Sequence, residues 1–384
     1  MSIVLWLLNV FDMNFNESSA LLVFIDIVFY VIIFICLKRT LKYPYSVTKN
    51  QRTVAMVFIL LFCLLSFWGS DWFHYFEIFP ELKSGYNTHV ENVYLTIGAI
   101  SPNYIIFRFF IWGSGLALLG KTFSKLEVSK DLCWFIFATS YLIWYSYARA
   151  SLAMAIAFCG FALVVGKDKR RYSVLLGFVL ILCSFFFHKS SAFAIGCIVL
   201  TLIAQRYPKL TYALLILLFP ILVIYINSSL SEFMMMSFDA DSGDMNAYME
   251  SGQRYFDGSQ GGGAGMGEKL RNMFERVPYY CTTALSLFAI FRNRINPPSS
   301  IKPFMVLQVI IVLMSSAFLF TSADFTTGTI YARFLRFAFI PTAIVLAYLY
   351  QCGYAHKYVR YSVYIAITGA VYAITYSFYC RIVG

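Results

Sequence analysis

Residues 144–204 read WYSYARASLAMAIAFCGFALVVGKDKRRYSVLLGFVLILCSFFFHKSSAFAIGCIVLTLIA. Three apolar runs, near 150–166, 173–187 and 190–204, follow one another with almost no polar chain between them. The first break holds Lys167, Lys169, Arg170 and Arg171; the second holds little more than His188 and Lys189. Long apolar runs joined by such short turns describe helices that cross a bilayer back and forth. In hydrocarbon a helix satisfies every backbone polar group within its own segment, and an open strand does not.

The rest of the chain has the same texture. Of 384 residues, 60% are hydrophobic and 13% are charged, against about 45–50% and about 25% in an ordinary soluble domain. That balance excludes a soluble globular protein, and it excludes disorder, which needs a chain that stays solvated. A span takes about 20 residues. Further runs lie near 19–37, 53–70, 103–120, 132–148, 210–227, 277–291, 303–321, 334–350 and 361–379. The expected fold class is all-α: a polytopic integral membrane helical bundle of about twelve transmembrane helices, forming one domain over residues 1–384. Two long segments, 71–102 and 228–276, separate runs. The second contains GSQGGGAGMG, a flexible-linker composition, and DADSGD, whose Gly243 sits one place too early for a calcium loop.

Charge assigns the sides. Alternate loops hold Lys38, Arg39, Lys42, Lys49 and Arg52; Lys121, Lys125 and Lys130; the 167–171 turn; Arg206 and Lys209; Arg292, Arg294 and Lys302; Lys357 and Arg360. These loops carry 19 of the 30 basic residues with only Glu127, Asp131 and Asp168 against them. Lys and Arg collect in short cytoplasmic loops, so these loops are expected inside and the two long segments outside. The formal charge of +11 is then a topology signal, and a nucleic-acid partner is not expected. Nine cysteines without C-x-x-C spacing and four scattered histidines give no expected metal site.

Ionisable groups within or at the ends of spans carry the functional information, because each costs about 2.5–3.5 kcal/mol near the bilayer centre. They are Asp26, Asp71, Arg108, Arg149, His188, Lys189, Asp324, Arg333 and Arg336. Asp26 and Arg108 read as a pair within the bundle. The others come from distant parts of the chain and share the outer membrane depth. Arginine forks bind phosphate oxygens bidentately, so Arg149, Arg333, Arg336 and Lys189 suit a phosphate or pyrophosphate. Ser190 and Ser191 beside His188 lack a G-x-S-x-G frame and read as helix packing.

Four stretches resemble the EpsG-like branch of bacterial Wzy-type polysaccharide polymerases: GSDWFHYF at 69–76, WYSYARASLAMAIAFCGFALV at 144–164, SFFFHKSSAFAI at 184–195 and YARFLRFAFI at 331–340. Members typically carry glycine–x–aspartate with a following tyrosine, an arginine opening an alanine-rich span, a phenylalanine–histidine–lysine–serine run and a late arginine near a tyrosine. Here these are Asp71 with Tyr75, Arg149, His188 with Lys189 and Ser190, and Arg333 with Arg336. One departure is Ala150, where members often have glutamine.

The resemblance implies a glycosyltransferase, GT-C-like in fold, at the outer face of the bacterial cytoplasmic membrane. It would make O-antigen, capsule or exopolysaccharide by moving a growing glycan from undecaprenyl pyrophosphate onto a new lipid-linked repeat unit. No cofactor is implied. The implied partners are those lipid-linked units, membrane lipid, a flippase and a chain-length regulator. Asp71 or His188 would be the base, with Asp71 favoured. Arg149, Arg333, Arg336 and Lys189 would hold the pyrophosphate in place of a metal, and Trp72, His74, Tyr75 and Tyr147 would meet the sugar. A lipid-linked oligosaccharide flippase and an O-antigen ligase are the alternatives, since both handle the same lipid.

Overall fold

The computed structural model describes residues 15–42, 47–65, 75–76, 78–85, 90–143, 145, 148–167, 170–207, 266–291, 295–318 and 329–383. Among them there is helix and no strand. In chain order the helices are α1 (Phe15–Leu37), α2 (Lys49–Leu65), α3 (Phe79–Ser84), α4 (Asn92–Ile100) and α5 (Tyr104–Ser124). Next come α6 (Lys130–Ile136), prolonged by a π turn at Phe137–Tyr141, then α7 (Ala148–Val165), α8 (Arg171–Phe187) and α9 (Ser191–Arg206). The last are α10 (Met266–Phe291), α11 (Lys302–Ala317), α12 (Thr329–Leu335), α13 (Phe339–Gln351) and α14 (His356–Val383). Each expected apolar run coincides with a helix except 210–227, which lies outside the described residues. α10 begins at Met266 rather than near 277, so charged residues counted with the second long segment form its first turns.

The outer faces show which solvent the bundle meets. On α1, Phe24, Val28, Val31 and Ile35 are exposed, while Asp26, Tyr30, Ile33 and Leu37 are buried. On α8, Leu175, Val179, Leu182 and Phe186 point outward. Water-soluble helices hide the apolar stripe at this three–four spacing; these helices display it. The protein is a helical membrane protein. Among the described residues α5 and the stretch Tyr331–Gln351, 21 residues each, are long and apolar enough to cross a membrane; Arg149–Val165, α8, α9 and α11 are shorter apolar helices.

α7 and α13 form the interior. α7 is buried from Ser151 to Leu163, and α13 from Phe339 to Leu349. An alanine-rich helix suits that place because its neighbours approach closely on every side. α8 comes closest, at Gly160 facing Gly177: a Cβ on Gly160 meets the Gly177 carbonyl oxygen at 2.5 Å, and one on Gly177 meets that of Gly160 at 2.6 Å. The π turn of α6 is tied to α1, where the Tyr30 hydroxyl donates to the Thr139 carbonyl at 2.8 Å. α14 packs on both α1 and α10, so the last helix closes against the first. Arg108 is fully buried and donates to the Cys63 carbonyl at 2.6 Å, within the field of Asp26.

Among the described residues, parts of the expected basic loops meet at one end of the bundle. Arg52 clamps Asp131 through two hydrogen bonds, of 2.5 and 2.6 Å. Ser300 donates to Glu127 at 2.9 Å, the Ser129 N–H to Gln351 at 2.7 Å, and the Lys167 N–H to the Lys125 carbonyl at 3.0 Å. Loops far apart in sequence therefore meet side by side.

The glycine crossing gives a direct test. Gly160→Val is expected to lower stability by about 1–3 kcal/mol through overpacking, whereas Gly196→Ala, whose added methyl meets nothing within 4 Å, should not. Thermal unfolding of the two variants in the same detergent compares them; an unshifted Gly160→Val would mean the helices separate freely.

Candidate functional site

The end of the bundle opposite the basic loops holds a carboxylate between an arginine and a histidine. Glu91 stands at the N-cap position of α4, where an acidic side chain usually accepts from its own helix. Here its side chain makes no capping bond and reaches away. Arg149 Nη1 donates to Glu91 Oε2 at 2.8 Å, and His188 Nδ1 meets Glu91 Oε1 at 3.1 Å. A carboxylate only accepts, so this contact places the proton on Nδ1.

Local sequence explains each position. Arg149 opens α7, just where the buried alanine-rich stretch begins. His188 leaves the helix with an extended backbone at the end of α8, and the Lys189–Ser190 turn starts α9. Tyr94, on the first turn of α4, donates to the Arg149 carbonyl at 3.1 Å and packs edge-on against Phe187. The Tyr75 ring lies under the Arg149 guanidinium, 5.8 Å to the centroid, and stacks on Phe107.

Burial pushes the Glu91 carboxyl up, but the bond from His188 and the charge and bond from Arg149 outweigh it and hold the group down at about 2. It is therefore ionised wherever a cell envelope operates.

A second charged group lies on α10, on α12 and on the single turn, Arg336–Ala338, that follows it. Arg336 pairs with Glu275 at 3.6 Å, and the Arg276 guanidinium sits over the Tyr331 ring, 5.0 Å to the centroid. Glu275 and Arg276 are both buried. The Tyr331 hydroxyl meets that of Tyr280 at 2.7 Å, which in turn meets Ser316 at 2.9 Å. Tyr279 stacks on Tyr141 from the π turn. π turns redirect the side chains that follow them and recur at functional sites. The two groups are joined through aromatic packing: Phe193 on α9 stacks on Phe334 at 4.4 Å and reaches Phe337.

Of the residues expected from sequence, Arg149, His188 and Tyr75 come together around Glu91. Tyr75 is 2% exposed, with Arg149 and Phe107 over its ring, so it braces the arginine. Lys189 is exposed on the adjoining turn; Arg333 is exposed on α12, while Arg336 turns inward to Glu275. Ser191 is buried at the start of α9. Asp71, Trp72, His74, Tyr147 and Asp324 lie outside the described residues. Sequence reading passed over Glu91, Glu275 and Arg276. Glu91 carried a signal, an acidic residue directly before an apolar helix; the other two were counted with a loop.

Helices with apolar outer faces, and a glutamate joining an arginine and a histidine where they end, define an integral membrane protein with a polar site at one end of its bundle. The chain belongs to the EpsG family, whose profile matches residues 51–382, a family of Wzy-like polysaccharide polymerases. No curated protein and no solved structure matches it.

The low Glu91 carboxyl sets a pH window. A carboxyl depressed by folding contributes stability above its ordinary value near 4.5, and that contribution is lost as pH falls toward about 2. Glu91→Gln should lack this acid-dependent part, worth on the order of 3 kcal/mol at neutral pH. Melting temperatures of wild type and variant at pH 6 and pH 3 check it: the gap should narrow in acid, and parallel curves would count against the linkage.

Proposed function

We propose that this protein is a polysaccharide polymerase that transfers a growing glycan from undecaprenyl pyrophosphate to a new lipid-linked repeat unit. The observation that carries the reading is the Glu91 carboxylate engaging Arg149 and His188 together at the end away from the basic loops. A place where an arginine and a histidine N–H converge on one anionic group is chemically suited to a second, a lipid diphosphate. Basic loops face the cytoplasm in bacterial inner-membrane proteins, which supports an outer-face position for this site, where lipid-linked units would be polymerised.

The reaction needs two things. A hydroxyl of the acceptor sugar attacks the anomeric carbon of the donor; the new C–O bond forms as the bond from that carbon to the diphosphate breaks. The hydroxyl proton passes to a base, and undecaprenyl pyrophosphate leaves with the bonding pair. His188 suits the base, because its Nδ1–H is held by Glu91 and Nε2 is the acceptor of that tautomer. Carboxylate–histidine pairs fix the ring in this way in other catalysts. Asp71 is the other group of fitting chemistry. Arg149, with Lys189, Arg333 and Arg336, supplies positive charge where the leaving diphosphate develops its own, usually the larger contribution. We read transfer as independent of a metal on this account. The fold is of the GT-C kind in this reading, and a flippase and a chain-length regulator are its working neighbours.

A strain lacking the gene, complemented with wild type, Arg149→Ala or His188→Ala, tests the proposal. Surface glycans resolved by size should collapse from a ladder to single repeat units in both variants, with membrane insertion unchanged. His188→Ala should fall by about 10²–10⁴-fold, the usual worth of a general base. Full ladders in both variants would remove these residues from the site. A null strain that accumulates lipid-linked units inside would instead identify a flippase. Polymerisation by purified protein should also survive chelation; its loss on adding EDTA, restored by a divalent cation, would refute the metal-independent reading.

A further inference from the structure

The basic end of the bundle has a cavity that polymer synthesis at the other end does not use. α7 runs from Arg149, at the site, to the turn where Lys167 bonds Lys125; at a rise of about 1.5 Å per residue this separates the ends by about 25 Å. There α2, α5 and α6 leave an open groove of about 420 Å³ between them, within the range of small-ligand sites. Arg52, Lys121 and Lys130 form its rim, one from each helix, and Met56, Leu116 and Trp134 form its floor.

The rim is positive and positioned. Arg52 is fixed by the two bonds to Asp131, yet its side chain stays 42% exposed. Lys121 and Lys130 are exposed. Three cations thus face one carboxylate, itself occupied by Arg52. The floor is apolar and stiff: Trp134 is buried and packs edge-on against Phe123 and Phe137. From the rim an exposed row on α5, Lys121, Ala117, Ser114 and Phe110, runs down the outer face of the helix. A ligand for this groove has an anionic head and an apolar tail that leaves toward the bilayer.

We propose that the groove binds one anionic phospholipid of the inner leaflet, its phosphodiester on Arg52, Lys121 and Lys130 and one acyl chain along Met56 and Leu116. Basic loops alone attract anionic lipid diffusely, each Lys or Arg near the surface changing affinity about fivefold. A groove with an aromatic floor makes the binding stoichiometric. The proposal is independent of the polymerase reading, since none of its residues lies at the Glu91 end.

The test uses the full chain, purified in a mild neutral detergent and examined by native mass spectrometry with dioleoyl-phosphatidylglycerol, dioleoyl-phosphatidylcholine or undecaprenyl phosphate. One phosphatidylglycerol should be retained per protein, and phosphatidylcholine should not. Lys121→Gln with Lys130→Gln should weaken retention about tenfold or more without moving the melting temperature. Met56→Trp, which fills the groove and leaves the charges in place, should weaken it too. Equal retention of phosphatidylcholine, or retention untouched in both variants, overturns the proposal. So does displacement of phosphatidylglycerol by an equal concentration of undecaprenyl phosphate, which would make the ligand a polyprenyl phosphate.

Discussion

A half-buried carboxylate gains from partners, and Glu91 finds both of its own on other parts of the chain. Leaving such a group ionised without them costs several kcal/mol, so the start of α7 and the end of α8 are held to the start of α4. With Tyr94 bonding the Arg149 backbone and Tyr75 beneath its guanidinium, the arginine is fixed by its head, its ring contact and its main chain. The guanidinium is thus held in one place by its protein neighbours, the preorganisation that the proposed role of Arg149 requires.

What keeps this end rigid is packing further down. The Gly160–Gly177 crossing locks α7 to α8, the helices that deliver Arg149 and His188. The stack of Phe193 on Phe334 fixes α9 against α12, so the Arg336–Glu275 pair is coupled through aromatic contact to the turn carrying Lys189. The loops at the far end are tied across by Arg52–Asp131, Ser300–Glu127 and Ser129–Gln351. Each level of the molecule thus has its own cross-ties, polar at both ends and steric in the middle.

The helices were legible in sequence because burial in a membrane leaves long apolar runs, and charge at the breaks marks alternate ends. The end of α10 nearest the site was not, since Glu275 and Arg276 make its early turns look like loop; both are buried against Arg336 and Tyr331, a tertiary circumstance that hydropathy does not register. Arg149 and His188 stood out as charges between apolar runs. Their shared carboxylate signalled only a helix start, because nothing in its local sequence shows the partners that the fold brings to it from 58 and 97 positions along the chain. The π turn was equally hidden: Phe137–Tyr141 differs from ordinary helix only in hydrogen-bond register, and Tyr30 from α1 supplies a donor to it.

The closure of α14 on α1 bears on how the protein is made. Helices enter the membrane in the order they leave the ribosome, yet the inner face of the first, which carries Asp26, has the last among its neighbours. Until α14 has been made, the part of α1 that it packs on is left to lipid. A chain stopped short of α14 leaves α1, the helix that carries the buried Asp26, without one of its packing partners.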